Sequence, residues 1–79
     1  MQTKHVTIYS ADWCAFCHAA KDYFDKLGIK YEEKNVEADP AIANESITKS
    51  GQTGIPVIDI DGRIIVGFDR PKIDAALKS

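Results

Sequence analysis

No apolar run among the 79 residues approaches the ~20 needed for a bilayer-spanning helix, so no such span is expected. No charge of one sign dominates. The 10 Lys and Arg stand against 12 Asp and Glu, a net −2, and no basic face is visible. Nucleic acid is therefore not an expected partner. The opening residues MQTKHVTIYS hold no apolar core of signal-peptide length and no small-residue cleavage site. The expected location is cytoplasmic. Cysteine is scarce as well: both copies lie within Trp13-Cys14-Ala15-Phe16-Cys17-His18. In a reducing compartment such a pair points to catalysis or metal binding rather than to a structural staple.

What is present is an ordinary globular composition, 44% hydrophobic and 28% charged, which argues against disorder. The length allows one domain, residues 1–79, with a modest core. Lys4 to Tyr9 is rich in β-branched and aromatic residues and predicts a strand. Ser10-Ala11-Asp12 is a turn. From Cys14 to Leu27, apolar residues recur at helical spacing, with Cys17, Ala20, Phe24 and Leu27 on one face. Gly28 ends that helix as a left-handed cap.

Lys30 to Val36 predicts a second strand. Asp39-Pro40 starts a helix, with Asp as N-cap and Pro in the first turn, that runs to about Lys49 and closes at Ser50-Gly51. After a loop over Gln52 to Ile55, Pro56 to Ile60 predicts a strand. Asp61-Gly62 is a two-residue hairpin turn, and Arg63 to Gly67 is the returning strand. Asp69 can cap a last helix from about Arg70 to Lys78. The order β-α-β-α-β-β-α gives an α/β fold. Its first β-α-β is parallel and its last two strands antiparallel, so the four-stranded sheet is mixed.

The Cys14 motif carries three readings: a dithiol redox pair, a c-type haem attachment sequence, or part of a zinc site. Haem attachment needs export and usually an axial Met or second His. The only Met is Met1, and His5 lies in a strand. Zinc needs four ligands, and no second C-x-x-C or H-x-H pair is present. The dithiol remains.

Cys14 falls where the first strand hands over to the first helix, whose free N–H groups and dipole favour an anion. A cysteine there is expected to have its thiolate stabilised and its pKa lowered. Cys17 is three residues on, and residues at that helical spacing have Cβ atoms about 5–6 Å apart. A disulfide needs about 3.5–4.5 Å, within reach of a small local adjustment. Cys17 shares the face of Ala20 and Phe24 and is expected to be buried, with Cys14 exposed. Cys14 is therefore the expected nucleophile and Cys17 the resolving thiol. His18 has two readings, a stabiliser of the thiolate or a solvent-facing polar residue. A cation near a helix N-terminus is disfavoured, which favours the second.

These residues resemble the glutaredoxin family, the short form of the thioredoxin fold, over nearly the whole chain. Cys14-Ala15-Phe16-Cys17-His18-Ala19-Ala20-Lys21 is similar to the C-P-Y-C-H-x-A-K stretch of bacterial members. Ser50-Gly51-Gln52-Thr53-Gly54-Ile55-Pro56-Val57 resembles S-G-x-x-T-V-P, and Val66-Gly67-Phe68-Asp69 resembles G-G-x-D. The resemblance implies a disulfide oxidoreductase serving electron transport and cell redox homeostasis, and a cis Ile55–Pro56 bond facing the cysteines. It implies substrate or glutathione binding by Trp13, Phe16, Ile55, Pro56, Gly67, Phe68 and Asp69. Ile55 would act through its backbone.

The resemblance implies no resident cofactor, with glutathione as a candidate reductant. The expected partners are disulfide-containing proteins and an electron donor, either glutathione or thioredoxin reductase, and the expected state is a monomer. Trp13 is thioredoxin-like, but the strand Val6-Thr7-Ile8-Tyr9 lacks the buried acid of thioredoxins. Ala15 replaces the motif proline, Val66 the first glycine of the pocket and Arg70 its second acid. Gly67-Phe68 also resembles the S-G-F segment of NrdH-type redoxins, which draw electrons from thioredoxin reductase. A glutathione-assisted [2Fe–2S] cluster between two copies and a non-catalytic binding domain stay open as alternative readings.

Overall fold

The computed structural model describes residues 4–78; Met1 to Thr3 and Ser79, which the expected domain includes, lie outside that range. The elements are β1 (Val6–Ser10), α1 (Ala15–Lys26), β2 (Glu32–Asn35), α2 (Pro40–Ser50), β3 (Val57–Ile60), β4 (Arg63–Val66) and α3 (Arg70–Lys78). They form one four-stranded sheet in the order β2-β1-β3-β4. β1 runs parallel to β2 with Thr7 opposite Glu32, and antiparallel to β3 with Ile8 opposite Ile58. β3 and β4 are antiparallel, with Ile58 opposite Ile65. The mixed α/β architecture expected from the sequence is the one observed.

Local chemistry sets the boundaries. Asp39 caps α2 through Oδ1, which accepts from Ala41 N at 2.9 Å, with Pro40 following where its missing N–H costs nothing. α1 ends with Gly28 at φ +70, Gly28 N–H donating to Asp25 O and Ile29 N–H to Phe24 O, the paired bonds of a Schellman cap. Asp61 and Gly62 both have positive φ, as a tight I′ hairpin requires. Two expectations need correction. The second strand is shorter than Lys30 to Val36. Leu27 is 49% exposed instead of buried, because it is the C-cap residue at a chain reversal, past the last turn that faces the sheet.

Residues directly opposite in register share a sheet face, so Ile8, Ile58 and Ile65 line up on one side. Together with Val6 and Ile60 they pack on Ala20 and Phe24 of α1 and Ile73 and Ala76 of α3. That face is the apolar core. β1 is buried along its whole length because it is an interior strand covered on both faces.

The other face carries Tyr9, Lys34 and Asp59 and is held to α2 by polar contacts. The buried Tyr9 hydroxyl donates to Glu45, whose Oε2 also lies 2.9 Å from Lys34 Nζ. Lys49 Nζ sits 2.7 Å from Asp59 Oδ2 and 5.4 Å from the centre of the Tyr9 ring. Burial, then the bond to Glu45, pushes the Tyr9 hydroxyl above its usual range. The Asp59 carboxylate, then Tyr9, pushes the Lys49 ammonium up as well.

Both groups hold their protons more tightly when folded. Their contribution is thus complete below about pH 10 and is lost as pH rises through the folded values. The Lys49 side chain is 36% exposed, so the pair contributes no more than about 1 kcal/mol. Lys49→Met is expected to lower stability at pH 8 by about that amount and to flatten the decline above pH 10. Urea midpoints at pH 8 and pH 11.5 test it; an unchanged alkaline slope would exclude this role for Lys49. Among the described residues, no helix is long and apolar enough to cross a membrane.

Candidate functional site

β1 delivers the chain to one end of the sheet, and Ala11 to Trp13 turn it into α1. The turn is closed by Cys14 N–H donating to Ala11 O at 3.1 Å. Cys14 is the N-cap of α1 and not its first helical residue: its backbone is extended, and its Sγ accepts from Cys17 N–H at 3.2 Å. The sulfur therefore occupies the position of a capping oxygen, where an unpaired donor and the positive helix end converge. Cys14 and Cys17 are joined as a disulfide with Cα atoms 5.2 Å apart, inside the usual range of about 4.4–6.8 Å.

Cys17 is fully buried beside Ala20 and Phe24, as the helical spacing predicts. Cys14, expected to be exposed, is only 5% exposed. The cover comes from a distant segment: Ile55 O lies 4.0 Å from Cys14 Sγ, and the next residue, Pro56, is fully buried. What is open to solvent is the rim, with Trp13 70% and Phe16 68% exposed.

The Ile55–Pro56 bond is cis. The sheet register begins at Val57, so the Ile55 main chain is left outside it. Gly67 N–H donates to Pro56 O at 2.8 Å, which brings the turn after β4 against the same loop. Gly67 has φ +81, a conformation that a side chain would strain. Cys14, Cys17, Ile55, Pro56 and Gly67 are thus brought together. The two expected residues that follow Gly67 make contacts of their own. Phe68 is half-buried against the core cluster, its ring edge-on to Tyr23 at 5.9 Å. Asp69 caps α3, accepting from Lys72 N–H at 3.3 Å through Oδ1. Arg70 lies over the Tyr23 ring at 4.8 Å.

His18 is solvent-exposed, and its Nε2–H donates to Asp12 O at 2.7 Å, steadying the turn that precedes Cys14. Sequence reasoning missed a neighbouring polar set. Fully buried Ser10 donates to Glu33 Oε2 at 2.8 Å, and Lys21 Nζ meets the same oxygen at 2.7 Å. The Lys21 ammonium, then the Ser10 hydroxyl, holds the Glu33 carboxyl below the usual carboxylate range. The set joins α1, β1 and β2 where they converge on the motif. Alternation along β1 could have flagged Ser10, since it falls on the Ile8 face. Nothing in the local sequence places Glu33 within its reach.

The glutaredoxin family model matches residues 6–65. A glutaredoxin-like 8.6 kDa protein of the rubredoxin operon of Clostridium pasteurianum is 38% identical over 73 residues, 92% of this chain and 97% of that one. Glutaredoxin 3 of Escherichia coli is 35% identical over 65 residues, 82% and 78% of the two chains. Among solved structures, NrdH-redoxin of Escherichia coli, a glutaredoxin-like protein with a thioredoxin-like activity profile, superimposes with a TM-score of 0.79. It is 30% identical, and the match covers 90% of this chain and 92% of that one. With a bridged C-x-x-C pair at the helix start and this degree of likeness across nearly its whole length, the chain belongs to the glutaredoxin family of thiol–disulfide oxidoreductases.

Proposed function

We propose that the enzyme reduces protein disulfides or glutathione mixed disulfides, with Cys14 as nucleophile and Cys17 as resolving thiol. One observation carries the assignment of roles. Cys14 Sγ sits at the helix N-cap and Cys14 keeps 5% of its surface open, whereas Cys17 is fully enclosed. In the reduced enzyme the Cys14 thiolate attacks one sulfur of the substrate. A mixed disulfide forms, and the other substrate sulfur leaves as a thiolate that takes up a proton. Cys17 then attacks Cys14 Sγ, forming the intramolecular disulfide and releasing the second substrate sulfur. Two electrons pass from the dithiol to the substrate, and the donor returns them.

Ile55 is suited to hold the substrate backbone, since its main chain is outside the sheet register and its carbonyl faces Cys14. Strand-like pairing of this kind orients an incoming disulfide without reading its side chains. Trp13 and Phe16 offer apolar area to a protein surface. On the donor side, Arg70 stands where the family carries a second acid and stacks on Tyr23, and the thioredoxin-like activity profile of NrdH-redoxin points the same way. The favoured donor is therefore a thioredoxin reductase. An NADPH-consumption assay with two electron sources tests this. One arm contains glutathione, glutathione reductase and a glutathionylated peptide; the other contains thioredoxin reductase and a protein disulfide. Faster turnover is expected in the reductase arm. Turnover confined to the glutathione arm would reject that donor.

A further inference from the structure

We infer that Gln52 is a positioning residue: its side-chain amide clamps the backbone of Gly54 and thereby sets where Ile55 presents its main chain to the substrate. This rests on the reading of Ile55 given above. Gln52 Oε1 accepts from Gly54 N–H, and Gln52 Nε2 donates to Gly54 O at 2.9 Å. Both polar groups of one backbone residue are thus engaged by one planar amide, as a neighbouring strand would engage them.

The clamp is anchored at its other end. Gln52 Nε2 also donates to Ser50 Oγ at 3.1 Å, and that hydroxyl donates to Ser46 O in the last turn of α2 at 2.7 Å. Only one orientation of the amide satisfies these partners, because Gly54 N–H can only donate. A continuous path therefore runs from α2 through Ser50, Gln52 and Gly54 to Ile55, whose carbonyl stands 4.0 Å from Cys14 Sγ.

Gly54 fits this path for a reason of space. It does not have a left-handed backbone, so its own conformation does not demand glycine. A Cβ built there would instead meet Gln52 Oε1 at 2.6 Å. That atom ends a flexible side chain, so an added methyl would displace the amide rather than the backbone. Gly54→Ala should therefore open the clamp from one side and Gln52→Ala from the other. Each is expected to raise KM for a disulfide-bonded peptide about fivefold, leaving kcat within about twofold, as for loss of a modest hydrogen-bonded positioning element.

The double variant should show the same rise as either single one, because one clamp can be opened only once. Gln52→Glu keeps the acceptor for Gly54 N–H but loses both N–H donations and sets a carboxylate against Gly54 O, so it should raise KM as well. Reaction of the reduced protein with 5,5′-dithiobis(2-nitrobenzoate), which has no peptide group to pair with Ile55, should slow by less than about twofold. Additive effects in the double variant, an unchanged peptide KM, or a parallel loss with the non-peptide disulfide would each overturn the clamp. In those cases an inactive Cys14→Ser variant would leave the dithiol reading standing, whereas turnover by Cys14→Ser would remove the reading beneath it.

Discussion

Cys14→Ser is expected to reduce disulfide turnover to the uncatalysed rate, while Cys17→Ser keeps the first half of the reaction and stops at a mixed disulfide. The asymmetry follows from the geometry. An alcohol at position 14 would still accept the Cys17 N–H as an N-cap, so the helix start survives the change. It cannot form a sulfur–sulfur bond, so no electrons are transferred. A hydroxyl at position 17 leaves Cys14 at the N-cap with its small open surface, able to attack but with no partner to release the product. Mass spectrometry after mixing with a peptide disulfide should therefore find a covalent adduct on Cys17→Ser and none on Cys14→Ser. Trapping on Cys14→Ser would reverse the assigned roles. Comparable steady-state activity in both variants would dismiss the dithiol cycle.

The positions of the two cysteines were legible from spacing alone, because a helix start and a three-residue separation are local facts. So were the caps at Asp39, Gly28 and Asp69 and the Asp61-Gly62 turn, each set by the backbone chemistry of one or two residues. The reading failed where cover comes from far along the chain. Cys14 is shielded by a carbonyl 41 residues away, a contact that depends on how β3 enters the sheet. Leu27 continues the apolar spacing of α1 but lies beyond the last turn that meets the sheet, and periodicity does not record where a face stops having a partner.

The polar dock of α2 was hidden for a related reason. Tyr9 reads as an ordinary strand aromatic until the pairing of β1 with β2 and β3 places Lys34 and Asp59 beside it. The Gln52–Gly54 clamp spans two residues, yet no periodic pattern marks it, since it depends on the path of a loop.

Phe24→Ala should destabilise the protein by about 3–5 kcal/mol, a large share of what so short a chain has. Phe24 is fully buried at the centre of the apolar face, where the sheet isoleucines, Ala20 and α3 meet, and its ring lies 6.2 Å from that of Tyr23 and 6.0 Å from that of Tyr31. At roughly 0.05–0.15 kcal/mol per residue, a chain of this length is worth about 4–12 kcal/mol in total. The variant should therefore show a urea midpoint lowered by about a quarter or more with an unchanged m-value, and at the lower end of that range it is partly or wholly unfolded in buffer.

Leu27→Ala supplies the contrast, because both residues carry the same apolar spacing. With Leu27 49% exposed, the cost should stay below about 1 kcal/mol. Equal costs at the two positions would mean that α1 packs along its full length. The unequal result would fix the working face of the helix at Cys17, Ala20 and Phe24. Cys17 is enclosed by that same packing, so reduced Phe24→Ala should also alkylate at Cys17 faster than the parent protein. The burial that keeps the resolving thiol from solvent would then be traced to the core beneath it.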